Sequence, residues 1–318
     1  MSSSPFMSAR RASLPDGRWH FQHGPIDIVI GAHGSPLALA QAHQAAWSRF
    51  TQVLEELVAE LPLLRQPLPL TRLAANGISP LRGAIARRMW AACAPYHAGF
   101  ITPMAAVAGS VAQELMACYD RPGVDRAWVN NGGDIALHLA PGASVRVGLF
   151  ADLGRIQGAV ADLARGEALQ DTDAQWEIAH ASPVRGMATS GWRGRSFSLG
   201  IADSVTVLAA TAAQADAAAT VIANAVNVVH PSVVRRPACE IRDDADLGAL
   251  RVTVDVPRLP AAAVGDALQA GLNSALALQH AGLIQDCILV CQGQWRQTGR
   301  GQVNAAVLLP SAPVMELA

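Results

Sequence analysis

Asp216 and Thr220 stand four residues apart in "TAAQADAAATVIANAVNVV", so on a helix a carboxylate and a hydroxyl lie one turn apart on the same face. Two hard oxygen donors at that spacing suit a cation such as Mg²⁺. Thr211 opens the segment with a T-x-x-Q capping box closed by Gln214, which specifies where the helix starts. Beyond that box the helix is Ala, Val and Ile, apart from Asp216, Thr220, Asn224 and Asn227. At 100° per residue these four fall within an arc of about 80°. The stripe is either the solvated side or a working face; a solvated face usually carries Glu, Lys or Arg, and this one carries none.

A second concentration of polar groups is "WVNNGGDIALHL", where Asn131, Gly132, Gly133 and Asp134 sit between two apolar runs. Asn-Gly between two strand-like runs predicts a hairpin. The second glycine and the carboxylate exceed what a turn needs, and main chain without side chains can be approached by a ligand or form an anion-binding nest. Both readings, turn and site, stand at this level. The Gly/Ser/Thr-rich stretch "GMATSGWRGRSFSLG" reads as a loop. It carries Thr189, Ser190 and Gly191, and two cations, Arg193 and Arg195, able to contact phosphate.

These residues need elements to position them. After a tail of about eighteen residues, the sequence predicts two strands around Gly24-Pro25, a helix from Pro36 to about Leu61, a helix over residues 80–96 and another over 104–119. The last has Ala105, Ala108, Gly109 and Ala112 at helical spacing, so it can approach another backbone closely, and its N-terminus could face a phosphate. The hairpin and a strand at 144–150 follow; residues 151–180 are more polar and read as a strand and a helical excursion whose bounds the pattern does not resolve. Then come a strand at 203–210, the capped helix, a strand at 249–256, a helix at 260–282, one strand at 286–295 and one at 303–309. Alternating strands and helices with several hairpins, and no linker, predict an α+β (mixed α/β) fold in a single domain over residues 19–318.

Composition narrows the chemistry. The chain has 318 residues, 51% of them hydrophobic and 15% charged, with a net charge of −1, so it can build a real core and offers no electrostatic footprint for nucleic acid or anionic membrane. All 24 basic residues are Arg, which removes Schiff-base lysines and the P-loop lysine. Five cysteines form no CxxC pair and predict buried thiols rather than a disulfide framework or zinc site. The basic, Ser-rich start has no apolar run behind it, and the least polar segment is interrupted by Asp216 and two Asn; a cytoplasmic address without a membrane span is expected.

The ordered set "NNGGDI", "MATSG" and "DSVTVLAATAAQADAAAT" resembles the ApbE-like proteins, whose best-known members are Mg²⁺-dependent FAD:protein FMN transferases. "TPMAAVAG", "VNNGGDIAL" and "SLGIADSVTVLAATAAQADAAATVIAN" look closer still to the UPF0280 branch, labelled thiamine-biosynthesis-like. The similarity runs roughly from Ile85 to Asn227. It implies an ApbE-like fold, mixed sheets with flanking helices around a nucleotide cleft. It also implies that Asp216 and Thr220 match the metal-binding Asp and Thr, and that Asn131, Gly132, Gly133, Asp134, Thr189, Ser190 and Gly191 line the cofactor cleft. Mg²⁺ and FAD are the implied cofactors, and a protein Ser or Thr hydroxyl the implied FMN acceptor. No catalytic residue is assigned.

Two departures stand out. The His-x-(Ile/Leu)-(Ile/Leu)-Asp-Pro-x-Thr-Gly segment of the transferases is replaced by the shorter "RSFSLGIADSVTV", and the Gly-Ala helix lacks its basic residue. Asp203 is the carboxylate nearest the missing Asp. The expectations are therefore a Mg²⁺-dependent flavin-nucleotide enzyme, a cofactor-binding protein without turnover, or another metabolic enzyme on the same scaffold. Apolar strands leave a homodimer open.

Overall fold

In a computed structural model, residues 8–68, 79–149, 174–194, 196–242, 246–299 and 305–307 are described. Arg195 and most of the polar 151–180 stretch lie outside them.

The chain adopts an α+β architecture whose centre is a nine-stranded sheet in the order β1-β2-β3-β4-β5-β8-β9-β12-β13. Its strands are β1 (Arg10–Ser13), β2 (Trp19–His23), β3 (Ile26–Gly34), β4 (Val124–Asn131), β5 (Asp134–Leu139), β8 (Gly186–Ser190), β9 (Ser204–Ala209), β12 (Asp286–Cys291) and β13 (Gln294–Gln297). Every neighbouring pair is antiparallel. A small sheet of β6 (Ser144–Leu149), β7 (Ala174–Ala179) and β14 (Ala305–Val307) packs on one face through Trp176 and Ile178, against Leu137, Met187, Leu208 and Ile288. A separate ribbon pairs β10 (Val234–Pro237) with β11 (Arg251–Asp255).

The opposite face carries helices α1 (Pro36–Ala59), α2 (Ala84–Cys93), α3 (Val107–Met116), α4 (Ala212–Ala225) and α5 (Ala261–His280). Being covered on both faces, β9 and β12 are buried along their whole length, which is why they read as continuous apolar runs.

Three places differ from the sequence reading. Residues 186–190, expected in a loop, form β8 in the middle of the sheet, because Gly186 lets α4 sit against the strand; a Cβ there would lie 2.1 Å from the Ala212 nitrogen. The single strand expected at 286–295 is a hairpin turning at Gln292-Gly293, both at positive φ. An edge strand, β1, forms inside the stretch expected as a tail and pairs with β2.

Helices α1, α2 and α3 are tied together by charge. Arg49 of α1 bonds Glu114 of α3 at 2.7 Å, and Arg88 of α2 reaches the same carboxylate at 2.8 Å. Glu60, the residue after α1, accepts the Gly83 and Arg82 amides at 2.6 and 2.7 Å and so holds the chain just before α2. This lattice sets the position of α3, whose first turn meets Asp216.

Candidate functional site

Helix α4 starts where the sequence places it: the Thr211 side chain accepts the Gln214 amide at 3.2 Å. It packs so closely against its neighbours that glycine is required on both sides. A Cβ on Gly109 of α3 would stand 2.3 Å from the Ala212 carbonyl oxygen and 2.9 Å from Asp216 Cβ. Together with Gly186 of β8, Gly109 clasps the first turn of α4, and that clasp brings Asp216 to the start of α3.

There the Gly109 amide donates to Asp216 Oδ2 at 2.9 Å, and the Ala108 amide also helps hold the carboxylate. Helix α3 has no side-chain cap of its own, so Asp216, more than a hundred residues away in sequence, satisfies its first-turn amides. The α3 N-terminus, a possible phosphate site by sequence, thus already faces a carboxylate. Burial, and then the charge of Asp134, push the Asp216 carboxyl well above the ordinary carboxylate range, against the lowering effect of the two amides. Two carboxylates therefore converge here. The buried Cys93 thiol of α2 adjoins them, its pKa raised first by burial and then by the Asp216 charge. The hydroxyl of Thr220, partly buried one turn beyond Asp216, has no hydrogen-bond partner among the described residues.

The hairpin brings Asp134 to this place. Gly132 and Gly133, at φ 69° and 111°, form the turn itself, one residue later than the Asn-Gly reading, and Asn131 pairs with Asp134 across it. The Gly133 amide donates to Asn130 Oδ1 at 2.8 Å, so it is spent on the turn. Asn131 is 6% exposed and donates to the Ala108 carbonyl at 3.1 Å, fastening the hairpin to the same turn of α3 that Asp216 caps. Asp134 shares the parity of Ala136, which is buried among the helices, and so faces them.

The Thr-Ser-Gly stretch is split by the pleat. Gly186, Ala188 and Ser190 alternate toward α4, whereas Thr189 faces the other side and bonds Thr206 at 2.8 Å. Gly191 is required for packing, since a Cβ would come within 2.3 Å of the Asp203 carbonyl. Asp203 braces a loop: its Oδ2 accepts the Gln292 amide at 2.5 Å and its Oδ1 the Trp192 indole at 3.3 Å.

The polar stripe of α4 points inward along its length. Asn224 accepts the Leu199 amide at 2.8 Å and the Ser198 hydroxyl at 3.3 Å; Asn227 donates to the Leu199 carbonyl at 3.1 Å and accepts from Arg235. The first half of the stripe thus meets α3 and the hairpin, and the second half fastens the chain at residues 198–199. Sequence reasoning singled out Asp216, Asp134 and the small residues of α3. It missed that the Gly109 amide is the partner of Asp216, and that Cys93 adjoins it; contacts across such separations leave no local signal.

A family profile described as AbpE bacteria matches residues 11–297. The chain belongs to the ApbE-like family, in its UPF0280 branch. A UPF0280 protein of Methanosphaerula palustris is 34% identical over 211 residues, 66% of this chain and 77% of that protein. One from Methanothrix thermoacetophila is 32% identical over 204 residues, 64% of this chain and 75% of the relative. With a UPF0280 protein of Methanospirillum hungatei the identity is 34% over 146 residues, 46% of this chain and about half, 53%, of that protein. Among solved structures, the ApbE protein of Thermotoga maritima aligns with 93% of this chain and 97% of its own at 12% identity and a TM-score of 0.41, a likeness too low to bear on the fold. Among the described residues of this UPF0280 protein, no three or more His, Cys, Asp or Glu are arranged so that they alone could hold a metal ion, and no helix is long and apolar enough to cross a membrane.

Proposed function

We propose that this protein is a Mg²⁺-dependent flavin-nucleotide enzyme of the ApbE type, cleaving FAD at its pyrophosphate and passing FMN to a Ser or Thr hydroxyl of a protein. In that reaction the acceptor oxygen bonds the FMN phosphorus, the bond to AMP breaks, and the hydroxyl proton is released. The single observation that carries the reading is the convergence of Asp134 and Asp216 at the first turn of α3, with Thr220 one turn further along α4.

The donor set fits the ion. Two carboxylates and a hydroxyl are hard oxygen ligands, and a cation would relieve the repulsion between the carboxylates. With few protein ligands available, the site suits an ion that keeps waters and substrate phosphates around it, as Mg²⁺ does. When bound, such an ion supplies neutralisation of the charge that develops on phosphate oxygens. The chain's own residues position the rest: Asn131 pins the hairpin to α3, and the exposed Gly132 leaves main chain open to a ligand.

The experiment mixes purified protein with FAD, with and without Mg²⁺, and follows AMP release and flavin binding, comparing Asp216→Asn and Asp134→Asn. Asparagine retains an oxygen for the Gly109 amide, so loss of turnover with an unchanged melting transition isolates the charge. AMP release that requires Mg²⁺ and both carboxylates is expected; Asp216→Asn turning over like the parent protein would remove the reading. Because Thr189 is turned away from Asp216 and bonded to Thr206, a second reading is a cofactor-binding protein without transfer, which predicts stoichiometric FAD binding and no AMP.

A further inference from the structure

Beside the first turn of α5, at the end of the sheet where β8 and β12 finish, lies a cavity of about 450 Å³. Arg193, in the loop after β8, and Arg258, in the segment leading to α5, both line it. Arg258 makes no hydrogen bond or ion pair among the described residues. The Arg193 side chain is 59% exposed and lies over the Trp192 ring, with the nearest Asp203 oxygen 4.0 Å away. That carboxylate, also bonded to the Gln292 amide and the Trp192 indole, pairs with Arg193 only at this long distance, which leaves Arg258 as the cation of the cavity without an acidic partner among the described residues. The cavity's apolar lining comes from Val256, Leu259, Ala261 and Val264, and Gln292 and Gln294 add two side-chain amides.

The wall is fixed before any ligand arrives. Gln292 is the one non-glycine residue at positive φ among those described, at 46°, a region that costs a residue with a side chain. Three bonds hold it there: its amide donates to Asp203, its Nε2 to the Pro257 carbonyl at 2.8 Å, and its Oε1 accepts the Leu259 amide at 2.9 Å. The β12–β13 turn is thereby joined to the segment that carries Arg258. A strained residue held by three bonds at the rim of a cavity is a preorganised wall, which lowers the ordering cost of binding.

We propose that this cavity is a binding site for a small organic phosphate monoester. Two guanidinium groups match the charge of a dianionic phosphate and its fork geometry, and the positive end of α5 adds to them. The volume lies in the range of small-ligand sites, and the Val256-Leu259-Val264 wall accommodates an apolar or aromatic body attached to the phosphate. None of Asp134, Asp216 and Thr220 lines this cavity, and the proposal does not rest on the metal or flavin reading.

The test is calorimetric titration of the full chain, free of flavin and Mg²⁺, with phenyl phosphate, phenol and inorganic phosphate, on the parent protein and on Arg258→Glu, Arg193→Glu and Arg10→Glu. Arg10 lies on the exposed edge strand β1 and serves as control. Saturable binding of phenyl phosphate, weakened at least tenfold by either cavity substitution and unaffected by Arg10→Glu, is expected, with inorganic phosphate weaker and phenol silent. Equal affinity for inorganic phosphate would overturn the role of the apolar wall. Absence of saturation, or binding by Arg258→Glu and Arg193→Glu equal to the parent's, would overturn the site.

Discussion

The Gly109 amide donates to Asp216 Oδ2 at 2.9 Å, so one carboxylate both caps helix α3 and meets the charge of Asp134. Substitutions at Asp216 therefore separate two roles. Asp216→Ala removes the cap and is expected to cost about 1–2 kcal/mol relative to Asp216→Asn, which keeps an acceptor oxygen. Because Asn also removes the charge that Asp134 opposes, Asp216→Asn is expected to be at least as stable as the parent at neutral pH. Urea denaturation at pH 7 checks both; equal stability of the two variants would mean the cap contributes nothing.

Gly109→Ala tests the clasp around α4. Its new methyl would stand 2.3 Å from the Ala212 carbonyl, a backbone atom that cannot turn aside, so the helices must separate. A loss of about 1–3 kcal/mol is expected. An unchanged melting temperature would show that α3 and α4 are not in close contact.

Glu114 gives a pH dependence with a definite sign. Burial opposes its ionisation, but hydrogen bonds from Arg49 and Arg88 outweigh burial and hold its carboxyl below the ordinary value of 4.5. The folded value is the lower one, so the stability Glu114 contributes is fully present above about 4.5 and is lost as the pH falls through the folded value. The stability difference between the parent and Glu114→Gln is expected to be largest near pH 7 and to shrink below pH 4.5. Chemical denaturation across that range measures it, and a difference that grows on acidification would contradict the ion-pair lattice.

Thr189 and Asn224 belong to the scaffold. Thr189→Val leaves the buried Thr206 hydroxyl without its partner, and Asn224→Ala strips the Leu199 amide and Ser198 hydroxyl; each is expected to cost about 1–3 kcal/mol. Any Mg²⁺ affinity, read by titration, is expected to stay unchanged in both, unlike in Asp134→Asn. A loss of metal binding in Thr189→Val equal to that in Asp134→Asn would place Thr189 on the helix face after all.

What the sequence determined by itself was whatever depends on near neighbours. The Thr211 capping box fixed the start of α4, the 3.6-residue period put Asp216, Thr220, Asn224 and Asn227 on one stripe, and Asn131-Gly132 marked a hairpin just before Asp134, one residue ahead of its actual turn. The ordered motifs were also enough to point to the family.

Tertiary structure decided which way those groups look and what they meet. Nothing local says that the α4 stripe is turned inward, that its first half meets α3 while its second half ties down residues 198–199, or that Gly109 supplies the partner of Asp216. Gly186 to Ser190 reads as a loop because Gly and Ser there give no apolar alternation, yet pairing on both sides and the closeness of α4 make it a central strand, whose pleat then sends Thr189 and Ser190 to opposite faces. The physical reason is common to all of these. Propensity acts over a few residues, whereas hydrogen bonds and close packing between elements a hundred residues apart are set only when the sheet assembles.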